Sequence, residues 1–258
     1  MRVSLSPRLF VSLSDSMELL VQFLLRLSFG LAVGMAVTSP TLVSSGYFRN
    51  HLYVTLGLTT LAGLVAMGMS PLVASLAAAA AVLSYVGSVC WLYEAKRAGI
   101  VTLWLVAACS LFAAWMGAGP GWLRAASVVT SGLVLGLTLA AMLLGHWYLN
   151  SPGMELEPLR RLLKWTALAV AAQIAVSAYG LVGCLMTFDV VSASWLLFEL
   201  LRWSFGLIGV LALLWMTWQT LKIPNTQSAT GILYVAVIGT FVGELTGLLL
   251  SAESAFPL

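Results

Sequence analysis

Four ionisable residues stand inside otherwise apolar runs of this sequence: Arg26 in "LLRLSFGL", Glu199 and Arg202 in "FELLRWSF", and Glu244 in "GTFVGELTG". A charge held in hydrocarbon is expensive, so such residues either pair with one another or mark a route for ions, protons or polar substrate groups. Glu199 and Arg202 are three apart and can pair on one helix face. Glu244 is surrounded by Gly239, Gly243 and Gly247, small residues that let another helix come close, which makes a pair with Arg26 or Arg202 feasible. Two readings follow. Two Arg–Glu pairs fasten helices together, or Glu199 or Glu244 carries a proton or holds a polar headgroup.

A second group lies in "MLLGHWYLNSPGMELEPLRRLLK", the most polar passage of the chain. His146, Trp147, Tyr148 and Arg160 offer a hydrogen-bonding imidazole, flat aromatic faces and a cation, a set suited to a quinone or to a lipid headgroup. His51 is the only other histidine. It opens one apolar run and His146 closes another, so the two fall at comparable depth and a bis-histidine b-type haem is geometrically thinkable. It is the weaker reading, because two histidines allow one haem at most and interfacial histidines beside Trp and Tyr are usually snorkelling polar tips.

Other chemistry finds no foothold. Glycine-rich nucleotide fingerprints, HExxH, clustered metal ligands and GxSxG are all missing from the sequence. The cysteines, Cys90, Cys109 and Cys184, sit in apolar runs without CxxC spacing and read as small core residues. Catalysis by this chain alone is not expected, and a net charge of +3 built from few charges leaves no basic patch for nucleic acid.

The elements that carry these residues follow from composition. With 61% hydrophobic and 8% charged residues, against roughly 25% charged in soluble domains, the chain needs lipid as its solvent. Windows of about 20 apolar residues, enough to cross about 30 Å of hydrocarbon, occur near residues 17–38, 51–69, 71–93, 98–118, 124–148, 161–186, 195–220 and 229–251. The fold class is therefore an all-α, polytopic helical bundle of about eight spans, one transmembrane domain over 17–258 preceded by a short interfacial segment, 1–16. The weakest break is "GMSP", where the second and third spans could be one kinked helix.

Cations orient the bundle, because Lys and Arg gather in short cytoplasmic loops. Arg49, Lys96, Arg97, Arg160, Arg161, Lys164 and Lys222 follow odd-numbered spans, and only Arg124, Arg2 and Arg8 fall on the other side. Both termini are expected on the non-cytoplasmic face of a cell membrane, the inner membrane if the source is bacterial. Trp91, Trp147, Trp165 and Trp218 then mark the inner interface, and Trp115, Trp122 and Trp195 the outer. Gly30–Gly34, Gly117–Gly121, Gly132–Gly136 and Gly243–Gly247 have the small-residue spacing of tight helix contacts.

"LLRLSFGL" (residues 24–31) and "LLRWSFGL" (residues 200–207) differ at one position in eight, and "HLYV" and "ILYV" occur in the spans that follow. Both copies start at odd-numbered spans, so the hairpins of spans one–two and seven–eight read as a parallel repeat.

The phrases "MLLGHWYLNSPGMELEPL" and "NTQSATGILYVAVIGTFVGEL" resemble segments of an uncharacterised family of bacterial polytopic membrane proteins. More loosely, eight spans, termini outside, an inner-face polar cluster and a terminal "GEL" helix resemble the membrane-anchor subunits of polysulfide and dimethyl-sulfoxide reductases. That resemblance implies a non-catalytic subunit of a respiratory complex, with a quinone pocket and redox partner subunits. The charges favour a different function, a transporter of small solutes, ions or protons. A structural or assembly protein bound only to membrane lipid is the third expectation.

Overall fold

The computed structural model describes residues 4–5, 12–151, 153–187, 190–223, 225–254 and 256–258. Eight long helices follow one another: α1 (Leu13–Ala36), α2 (Ser45–Ala66), α3 (Pro71–Leu92), α4 (Lys96–Ala118), α5 (Trp122–Asn150), α6 (Glu157–Thr187), α7 (Ala193–Lys222) and α8 (Thr226–Ala252). Seven of them are long and apolar enough to cross a membrane, so the chain is a multi-pass membrane protein. The remaining helix, α2, has 22 residues, about 33 Å at 1.5 Å per residue, but carries Arg49, Asn50, His51, Thr55, Thr59 and Thr60. Its threonines are accommodated locally. Thr55 and Thr59 are buried and donate to the carbonyls of His51 and Thr55, at 3.0 and 2.8 Å.

Side-chain caps set the helix starts. Ser12 accepts from the Asp15 backbone N–H at 3.1 Å, Ser192 from that of Trp195 at 3.2 Å, and Asn225 from that of Ser228 at 3.0 Å. The doubtful break at "GMSP" is real: α2 ends at Ala66, Ser70 caps α3 and Pro71 occupies its first turn, where a missing N–H costs nothing. Most of the expected interfacial segment 1–16, with Arg2 and Arg8, lies outside the described residues. Its last four residues belong to α1, and Ser4–Leu5 pairs in parallel with Val190–Val191. Pro158 sits in the first turn of α6, while Pro152 lies outside the described residues.

The first helix is the hub. It packs against α2, α4 and α5; α3 bridges α2 and α4; α5 also meets α6 and α8; and α7 lies along α8. At the α1–α5 crossing the backbones touch, because a Cβ on Gly30 would fall 1.8 Å from the Gly132 carbonyl oxygen and one on Gly136 would fall 1.9 Å from the Gly30 carbonyl carbon. Gly206 of α7 meets Gly243 of α8 in the same way, with a Cβ on Gly206 reaching to 2.4 Å from the Gly243 Cα. Glycine permits these approaches, where two backbones share the space of a side chain. Gly121 does something else: it precedes α5 with φ +121° and has no neighbour within 4 Å of a Cβ. Its match to the small-residue spacing reflects a turn.

The seventh helix departs from regularity. Residues Arg202–Gly209 form a π-helical segment between α-helical flanks. Such widened turns inside helices frequently accompany functional sites. Two tryptophans near helix ends, assigned to interfaces from sequence, are enclosed by protein. Trp91 is 1% exposed and stacks on Phe48 with centroids 4.1 Å apart, and Trp195 is 1% exposed beside Cys184, Leu250 and Leu258. Stacking and enclosure draw these rings inward, whereas Trp115, Trp122 and Trp165 remain exposed.

Candidate functional site: a buried arginine–glutamate layer

Arg26 is buried in α1, where its Nε donates to Gln22 Oε1 and its Nη1 to Ser131 Oγ of α5, both at 3.4 Å. Gln22 sits one turn earlier and spends its amide on α4, with Nε2 donating to the Ala114 carbonyl at 3.0 Å. Gln22 thus ties α4 to the guanidinium of α1, and the guanidinium itself reaches α5.

Arg202 opens the π segment of α7 and turns across to α6, where Nη2 donates to Ser177 Oγ at 2.7 Å. It is 1% exposed, yet Nε and Nη1 have no hydrogen-bond partner among the described residues. Nor does it hydrogen-bond Glu199, the partner its spacing suggests. Glu199 accepts from Trp203 Nε1 at 2.7 Å through Oε1, and Oε2 is buried without a partner. The reason is tertiary: Ser177 of the neighbouring helix receives the guanidinium, and the adjacent indole receives the carboxylate.

Glu244 of α8, 3% exposed, lies within electrostatic reach of both Arg26 and Arg202, and Glu199 within reach of Arg202. The four residues found from sequence are thus all buried and near enough to act on one another's charge. Thr240, one turn before Glu244, adds another buried hydroxyl without a partner. Matched positions of the two octapeptides behave alike around this layer. Arg26 and Arg202 each bind a serine, Ser28 and Ser204 each donate to the carbonyl four residues back, and Gly30 and Gly206 each meet a glycine of another helix.

Compared with protein-family models, curated proteins and solved structures, the chain matches none.

The rim residues of the polar passage divide among separate partners. His51 is buried, its Nδ1 2.6 Å from the Tyr47 carbonyl, with its ring against those of Tyr47 and Trp147. Trp147 Nε1 donates to Ser44 Oγ at 3.0 Å, and Tyr148 donates its hydroxyl to the Glu155 carbonyl. His146 is exposed on the next face of α5, its Nδ1 3.3 Å from the Tyr234 hydroxyl. Successive helix positions point about 100° apart, so Trp147 reaches His51 while His146 faces α8. Arg160 donates through Nη2 to the Leu221 carbonyl at 2.8 Å, tying α6 to the end of α7. The structure brings His51 and Trp147 together and leaves His146, Tyr148 and Arg160 in three other contacts.

Gln22, Ser131, Ser177 and Thr240 were not singled out in the sequence. Gln22 could have been, since it stands one turn from Arg26 on the same face. The hydroxyls could not, because serine and threonine are common in membrane helices and bond to their own backbone.

Proposed function

We propose that this multi-pass membrane protein moves protons or a small ion through its helical bundle, with Arg26, Glu244, Arg202 and Glu199 as the binding station. The observation that carries this reading is that two donors of buried Arg202 and one oxygen of buried Glu199, three residues apart on one helix, lack hydrogen-bond partners among the described residues, at the start of a π-helical turn. A buried charged group that lacks a partner costs more than about 1 to 3 kcal/mol. A purely structural ion pair would place donor on acceptor. Here the donors and the acceptor remain able to engage a passing ion, or to let a carboxylate take up and release a proton, while Glu244 holds the two guanidiniums in balance.

A redox-anchor role rests on a quinone pocket among His146, Trp147, Tyr148 and Arg160, whose side chains turn to separate partners. It has less support than the charged layer. The cation-rich loops favour placement in a cell membrane with Arg160, Arg161, Lys164 and Lys222 toward the cytoplasm.

The test is flux into proteoliposomes holding a pH-sensitive dye, driven by an imposed potassium diffusion potential, repeated with sodium and chloride indicators. Wild-type protein is expected to give a flux that Glu244→Gln and Arg202→Gln each abolish. A flux equal to that of empty liposomes, or one unchanged in both variants, removes the layer from any transport role.

A further inference from the structure

A cleft of about 480 Å³ opens between the start of α6 and the end of α7, lined by Glu157, Arg160, Arg161, Lys164, Trp218 and Lys222. It is lined by none of the four intramembrane charges. Four cations face one carboxylate there, and Arg160, Arg161, Lys164 and Lys222 are all exposed. Three of the cations lie within the first eight residues of α6, whose N-terminal end favours an anion. Lys164 Nζ stands 5.4 Å from the centroid of the Trp218 ring, so the aromatic face and its cation form one wall. Arg160 is fixed by its bond to the Leu221 carbonyl, which holds α6 and α7 at the separation that makes the cleft.

Like charges are gathered here at a cost that a surface could avoid by spreading them, and a bound anion offsets that repulsion. A basic pocket between membrane helices, at the depth where a tryptophan marks the interface, suits the phosphate of a lipid headgroup. We propose that this cleft binds an anionic phosphate group, held by Arg161, Lys164 and Lys222, with Trp218 against the apolar part of the same molecule. Phosphatidylglycerol is the lipid form of this chemistry, and glycerol 3-phosphate its soluble form. Phosphatidylcholine is the control, since its quaternary amine would meet the cations.

Protein purified in neutral detergent is titrated with each lipid, and bound copies are counted by native mass spectrometry. The wild type is expected to prefer phosphatidylglycerol to phosphatidylcholine by about tenfold or more, on the scale set by a few surface cations. Raising the ionic strength should weaken the preference. The combined variant Arg161→Gln, Lys164→Gln, Lys222→Gln should lose it while keeping the wild-type melting temperature, because its three positions are exposed. Displacement of the lipid by equimolar glycerol 3-phosphate assigns the site to soluble phosphates, and failure to displace assigns it to the headgroup; either supports an anionic phosphate site. Equal binding of the two lipids by the wild type, or an unchanged preference in the variant, overturns it.

Discussion

The guanidinium of Arg202 lies directly over Gly247: a Cβ at that glycine would stand 1.8 Å from Nη1 and 2.5 Å from Cζ. The glycine of α8 thereby makes room for the charge of α7. Gly247→Ala should push the guanidinium off Ser177, at a cost of about 1.5 to 3 kcal/mol for a charged hydrogen bond. In an Arg202→Ala background the same substitution should cost far less, because nothing remains to be displaced. A double-mutant cycle by denaturation in detergent reads the coupling; simple additivity would show that the guanidinium does not occupy this place.

Gly30→Ala and Gly136→Ala should each destabilise by about 1 to 3 kcal/mol, since each methyl meets backbone that cannot move without parting α1 from α5. Gly231→Ala is the contrast. Nothing lies within 4 Å of its Cβ, and alanine in a helix gains up to about 1 kcal/mol over glycine. Melting temperatures in one detergent should therefore move in opposite directions.

Gln22→Leu removes the link between Arg26 and the Ala114 carbonyl. Two buried polar groups lose a partner, which should lower stability by about 1 to 3 kcal/mol. Gln22→Glu keeps an acceptor for Arg26 but gives up the amide donor to Ala114, so it should rescue the Arg26 side of the contact alone. Thermal denaturation of both variants against wild type checks the order.

Orientation can be measured by single cysteines introduced into a cysteine-free background. Arg161→Cys and Pro120→Cys lie at opposite ends of the bundle, at the start of α6 and between α4 and α5. In intact cells a membrane-impermeant maleimide should label Pro120→Cys and spare Arg161→Cys; the reverse pattern would invert the topology argued from the cations.

Much of this molecule is written in runs of apolar residues. Helix lengths follow from hydropathy because a backbone in lipid must satisfy its own hydrogen bonds, so eight windows became eight helices with ends shifted by a few residues, even where Pro71 left the break in doubt. The charged layer was legible for the same reason: Arg26, Glu199, Arg202 and Glu244 stand out in apolar surroundings. Which atoms meet was decided only by tertiary structure. "LLRLSFGL" is regular α-helix against Gly132 and Gly136, while its near-copy "LLRWSFGL" turns π-helical against Gly243. Local sequence is almost the same in both, and the neighbouring helices differ. Likewise, Trp91 and Trp195 carry the composition of interfacial anchors, but packing encloses them. The cations of the α6–α7 cleft were visible as a topology signal, and their convergence with Trp218 required Arg160 to bind the end of α7. Sequence determined what had to be buried in lipid; long-range packing determined which buried polar groups, among the described residues, found partners and which did not.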